Sequence, residues 1–346
     1  NGVTGIRDAG GDLDLIDLMR ERIANGGLIG PEIFRAGPFV DGSKPGIPNR
    51  FVIWNAEDAR EVVAYLKRRG VDFIKTHTAT PPDAYFALLD EARRRQLTVI
   101  GHIPMDVDPA EAIDAGQHSV EHVVTLFEGP FQKLVKSGKS QEQAMNEFTD
   151  EYFTSLARRM VAKRTWFDPT LIAYWNRSFQ WDVRARKDPN DRYITASAKE
   201  FWKFFPDLPP ERKTLLAKAY ERFSQIVTIL HREGVRFLVG TDLGAKYSLP
   251  GFNVHDELDL LVKAGLSPKD ALQAATRNCA ESLGVLDRTG TVEQGKSADL
   301  VLLDADPLKQ IRNSKRINAV IRKGRLFRRA ELDAILDKAA AEAPSR

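Results

Sequence analysis

Apolar and polar residues follow two rhythms along this chain. Short apolar or alternating runs at residues 3–7, 33–36, 71–75, 97–101, 119–122, 165–167 and 235–241 predict seven strands. Amphipathic stretches between them predict helices, and several carry end signals. Asn55 and Asp58 form a capping pair for a helix that stops at Gly70. Pro81 opens a second helix behind Thr80, and Ser267 with Pro268 opens a third that runs to Gly284. Repeated strand–helix units call for a parallel sheet with helices outside it. Residues 1–285 are read as this α/β domain, with largely helical insertions near 128–162 and 176–226. The second insertion is rich in aromatics (Trp181, Trp202, Phe204, Phe205), which fit a substrate wall or plain packing equally well. From residue 286 the rhythm changes to short strands joined by turns, "GTVEQGKSADLVLLDADP" and "INAVIRKGRLF", and then a final helix.

The run "DFIKTHT" at residues 72–78 stands out, because alternation puts Phe73, Lys75 and His77 on one face. A lysine there is ordinarily a snorkelling side chain at a strand end. Other strand ends carry His102 in "VIGHIP", His122 in "SVEHVV" and Asp242 in "VGTDLG". Each alone is ordinary, since strand-end histidines are mostly structural and an Asp after Gly-Thr often caps a turn. Together they form a sharper pattern, because parallel strands in a barrel bring their C-terminal ends to one mouth. Imidazoles and a carboxylate suit divalent metals, zinc above all. A buried lysine amine joins such a set once it has reacted with carbon dioxide to give an anionic carbamate.

Composition narrows the possibilities. Of 346 residues, 42% are apolar and 29% charged, an ordinary globular balance. The 51 basic and 48 acidic residues nearly cancel, and no basic stripe indicates a nucleic-acid partner. The single cysteine, Cys279, excludes an intrachain disulfide and reads as a packed thiol. No apolar run approaches the roughly 18 residues that span a bilayer. No Gly-rich phosphate loop follows any strand. The chain opens with Asn inside a strand-like run, so a signal peptide would lie upstream and localisation is not read.

The motifs "GVTGIRDAGG", "VDFIKTHT", "VIGHIP", "SVEHVV", "GVRFLVGTDLG" and the long run from "HDELDLLVKAG" through "GTVEQGKSADLVLLDADP" cover nearly the whole chain. On them the chain resembles the metal-dependent amidohydrolase superfamily, in its imidazolonepropionase-like and prolidase-like branch. The resemblance implies a (β/α)8 TIM barrel with a small β-sandwich appendage. It implies that Lys75 is carbamylated and bridges two divalent ions, most simply zinc. His102 and His122 would bind the second metal, and Asp242 would bind the first and shuttle the proton. The His-x-His pair expected on the first barrel strand is absent, as no two of the six histidines have that spacing. The expectation is a chain lacking that strand, with one complete metal set (Lys75, His102, His122) and Asp242 alone at the other.

The resemblance implies hydrolysis of an amide, peptide-like or lactam C–N bond by a metal-bound hydroxide. Prolidase-like or N-acyl amino-acid substrates are favoured over ring opening or deamination on the same scaffold. A catalytically silent binding protein is the alternative of another class. His77, Tyr174 in "PTLIAYW" and His255 are candidate substrate contacts, whereas His118 and His231 read as structural. A small-molecule or dipeptide-like substrate and, for assembly, another copy of the chain are the expected partners.

Overall fold

A computed structural model describes residues 1–43, 49–179, 188–203 and 210–343. The chain forms two compact units.

The first comprises Val3–Asp168 and Ile229–Phe237 and contains, among the described residues, nine parallel strands. In chain order they are β1 (Gly5–Asp8), β2 (Glu32–Arg35), β3 (Phe39–Asp41), β4 (Arg50–Val52), β5 (Phe73–Thr76), β6 (Thr98–Gly101), β7 (Ser119–Glu121), β8 (Trp166–Asp168) and β9 (Arg236–Phe237). β1 pairs with β2, and the others form one sheet in the order β4-β3-β5-β6-β7-β8-β9. Asp72 N–H donates to Arg35 O and His77 N–H to Val40 O, so the chain through β2 and β3 follows β5 along both ends. The seven runs in the sequence thus become seven lanes in sequence order.

Helices fill the connections as their end signals require. Asn55 Oδ1 accepts from the N–H groups of Glu57 and Asp58 and starts the helix Ala56–Arg68. This helix buries Ala59, Val63 and Leu66 and packs on the helix Pro82–Arg94, which buries Tyr85, Leu88 and Ala92. Expected strand 235–241 shortens to Arg236–Phe237, which has β8 as its single ladder partner among the described residues.

The sheet is strongly curled. In a flat sheet β1 would lie roughly 20 Å from β7 and more from β8, at about 4.8 Å per step. Yet Arg7 on β1 reaches both, with Nη1 at 3.1 Å from Glu121 and Nη2 at 2.9 Å from Asp168. These side chains are almost wholly withdrawn from solvent and occupy the concave interior.

The second unit comprises Asn1–Gly2, Pro169–Thr228 and Leu238–Arg346. Glu257, fully buried, accepts from the N–H groups of Leu171 and Ile172 and caps the helix Leu171–Phe179. Trp202 packs with Ile194, Tyr247 and Leu249 in a small buried cluster, so this aromatic of the second insertion serves packing. Trp181, Phe204 and Phe205 lie outside the described residues. The helix expected from Pro268 to Gly284 is two helices, Pro268–Ala275 and Arg277–Ser282. They part at Thr276, whose hydroxyl bonds back to Leu272 O and whose backbone leaves the helical region. The tail forms an antiparallel sheet of β10 (Leu300–Leu303), β11 (Ile317–Arg322) and β12 (Arg325–Arg328), followed by the helix Arg329–Glu342.

Two stability tests arise from the curled sheet. Gly101 ends β6 at φ +120, and a Cβ there would stand 2.4 Å from Thr76 O and 2.7 Å from Lys75 Cδ. Gly116 also has positive φ (+96), but its Cβ would meet nothing within 4 Å. Gly116→Ala should cost about 1 kcal/mol and Gly101→Ala a further 1–3 kcal/mol or so, read from urea midpoints. Equal losses would show that the contact at Gly101 is soft.

The second test is acid unfolding. Burial alone would raise the Glu121 carboxyl, but the charges of Lys75 and Arg7, the Ser119 hydroxyl and His122 outweigh it and lower the pKa. A group depressed in the folded state stabilises above its unfolded pKa and loses that contribution as pH falls through the folded value. The stability gap between wild type and Glu121→Gln should therefore be full near neutrality and close as pH drops below Glu121's ordinary 4.5. A gap independent of pH over that range would show that the charge of Glu121 is not what stabilises the interior.

Candidate metal and active site

The site is built on three successive strands. Lys75 lies on β5 and is 7% exposed, with Nζ 4.0 Å from Glu121 Oε2. Its neighbours Ile74 and Thr76 are fully buried, so this strand has no wet face. Thr76 Oγ1 donates to the carbonyls of Ile100 and His102 and ties β5 to the end of β6. Gly101, by lacking a Cβ, leaves room for the Lys75 stem.

His102 follows β6 and His122 follows β7. Their rings meet edge-to-face with centroids 4.6 Å apart. His122 sits at φ +70, an uncommon conformation for a residue with a side chain, and its N–H donates to Asp168 O at 2.8 Å. The Thr125 hydroxyl donates to the carbonyls of Glu121 and His122 and secures this turn.

The structure adds five residues that sequence patterns did not single out, Arg7, Ser119, Glu121, Asp168 and Asp41. Glu121 Oε1 accepts from the Ser119 hydroxyl at 2.6 Å and from Arg7, while Oε2 faces Lys75. Asp168 accepts from Arg7 at 2.9 Å. Ser119 and Glu121 obey the same alternation that flagged Lys75 and His77, so alternation applied to every strand end would have found them. Asp41 is the fifth. It ends β3, is fully buried, and accepts through Oδ1 from the N–H groups of Gly42 and Ala79 at 2.9 and 2.7 Å.

His77 stands beside Asp41, with Nδ1 3.2 Å from Asp41 Oδ2. Its ring stacks on His102 at 4.3 Å and lies 4.9 Å from Phe39. Burial alone would raise the Asp41 carboxyl; the His77 hydrogen bond and charge, with the Ala79 and Gly42 N–H groups, hold it below its usual range.

The other sequence candidates belong to the second unit. Asp242 is exposed, at φ +51, and its carbonyl accepts from Ala245 N–H. Tyr174 is half-buried against Phe223, with ring centroids 4.7 Å apart. Both ring nitrogens of His255 are engaged, Nδ1 with the Ser314 hydroxyl and Nε2 with Asn1 O, each at 3.0 Å. Burial, the largest cause, lowers the pKa of that imidazole.

The donor set can be tested against a divalent cation. Among the described residues, no three His, Cys, Asp or Glu side chains form a group able to hold a metal ion. Two imidazoles side by side with a buried amine become such a set only when the amine is carbamylated, so the donors fit on that condition. Among the described residues no helix is long and apolar enough to cross a membrane.

Comparison with known proteins bears on the fold and the family. The chain is 37% identical over 89 residues to an imidazolonepropionase of Thermoplasma volcanium, covering 25% of this chain and only 21% of that relative. A bottromycin amidohydrolase structure superposes with TM-score 0.77 at 23% identity, over 99% of this chain and 74% of that one. A Xaa-Pro dipeptidase with bound methionine in its active site superposes at 0.65 with 21% identity, over 94% and 75%. At these identities the structural likenesses carry the fold, and they make the curled sheet TIM-barrel-like. The amidohydrolase family model matches residues 1–327, and the chain belongs to that family.

Proposed function

We propose that the protein hydrolyses a C–N bond of amide, peptide-like or lactam type, with a divalent cation held by His102, His122 and the carbamate of Lys75. The observation that carries this reading is the buried Lys75 amine on β5 beside two strands that end in the contacting pair His102 and His122. Family membership supports it, since divalent-metal dependence is typical of amidohydrolases. Zinc is the ion best matched to imidazole and carboxylate-like donors.

Each residue has a defined task. The neutral Lys75 amine adds to carbon dioxide, forming an N–C bond and releasing one proton. The resulting oxygens give a ligand that an ammonium cannot. His102 and His122 donate imidazole nitrogens. A bound divalent ion supplies Lewis acidity and lowers the pKa of water. Asp242 keeps the role that the family resemblance implies and would accept a proton from water and return it to the leaving amine. His77 in the first unit and Tyr174 in the second remain the candidate substrate contacts. His255 would do so only by giving up Ser314 or Asn1.

Prolidase-like and N-acyl amino-acid substrates are the favoured class, supported by the fold shared with a Xaa-Pro dipeptidase. The match to an imidazolonepropionase keeps small lactams in the panel to be assayed.

Lys75→Ala in the full-length protein should lose most bound metal by elemental analysis. Hydrolysis of the panel should fall at least about 100-fold, since even partners outside the ligand shell cost about 10–100-fold. Retention of both metal and activity would exclude the carbamate role.

A further inference from the structure

Asp41, His77, His102 and His122 form an unbroken arc over the ends of β3, β5, β6 and β7. The contacts run from carboxylate to imidazole at 3.2 Å, then ring to ring at 4.3 Å and 4.6 Å. We propose that Asp41 is a positioning residue, which sets the tautomer and tilt of His77 and, through the His77–His102 stack, the plane of His102. This rests on the reading of His102 as a metal ligand.

Asp41 is built for such a role. It is fully buried, and two backbone N–H groups fix its Oδ1, leaving Oδ2 toward His77 Nδ1 and, at 3.6 Å, Arg50 Nη1. The approach depends on Gly42, where a Cβ would fall 1.9 Å from Ala79 O. His77 Nδ1 also lies 3.1 Å from the Thr78 hydroxyl, which can donate or accept, whereas an ionised carboxylate only accepts. The proposal therefore puts the proton on Nδ1, toward Asp41, and leaves Nε2 as the acceptor nitrogen of the neutral ring. Phe39 and His102 bracket the ring at 4.9 and 4.3 Å. Asp41, Thr78, Phe39 and His102 together define one orientation of His77.

Asp41→Asn separates positioning from structure. The amide oxygen can keep both backbone N–H bonds, which places the amide NH2 against His77 Nδ1 and makes that nitrogen an acceptor. Long-range ¹H–¹⁵N spectra of the imidazoles, in mildly alkaline buffer, should show His77 as the Nδ1–H tautomer in wild type and as Nε2–H in the variant. Zn²⁺ titrated into the protein with bicarbonate present should bind about tenfold more weakly in the variant. An Nε2–H tautomer in wild type overturns the proposal whatever the variant does. So does a reversed tautomer with unchanged Zn²⁺ affinity. A wild type that binds no Zn²⁺ would instead remove the metal reading of His102, a failure distinguishable because the tautomer comparison is made without metal.

Discussion

The Arg7 guanidinium, held between Glu121 and Asp168, is the interaction on which the concave sheet depends. It joins the first lane of the sheet to lanes that a flat arrangement would place some 20 Å away or more. Buried charges tolerate this only when paired, because removing one partner of such a group typically costs about 3–5 kcal/mol. The cost falls on the unpaired carboxylates and not on the lost attraction alone. Two cations, Arg7 and Lys75, face two anions, Glu121 and Asp168, so the interior is electrically balanced with Lys75 as an ammonium.

That balance bears on the proposed chemistry. Carbamylation changes the Lys75 side chain from +1 to −1 and leaves three anionic groups facing one guanidinium. A divalent cation would restore neutrality, so in the proposed chemistry the carbamate and the metal would stabilise each other in this interior more than either would alone. Glu121 has opposite effects in the two states. It offers a counter-charge to the ammonium and would repel a carbamate, so in the proposed chemistry it would govern how readily metal is taken up.

Much of this was legible in the chain. Alternation located seven lanes in their order, and the strand ends exposed Lys75, His102 and His122. What escaped had identifiable physical causes. Asp41 lies in "GPFVDG", a run too short and too broken by Gly37 and Pro38 to show a period. Arg7 and Asp168 are ordinary strand-end residues until curvature brings them together, and curvature is a property of the assembled sheet. The strand expected to reach residue 241 stops at Phe237, because pairing partners and not propensity set how far a strand extends. The break at Thr276 arises from one hydroxyl competing for a helical carbonyl, a choice that a helix pattern does not reveal.

Two glycines show how backbone space sets the side-chain chemistry. Gly101 lets the Lys75 stem pass β6, and Gly42 lets the Ala79 carbonyl close against the end of β3 so that Asp41 meets His77. Each omits a methyl group where backbone and side chain approach too closely for one. The first clears the path of a proposed ligand, and the second holds the carboxylate that aligns its neighbour. His122, by contrast, keeps a side chain in the left-handed region at φ +70, a strain of roughly 1–3 kcal/mol that its N–H bond to Asp168 O helps to maintain. Asp168 is itself clamped by Arg7. The ion pair that spans the curled sheet therefore also anchors the backbone turn that presents the last histidine of the arc, so fold and site share one set of charges.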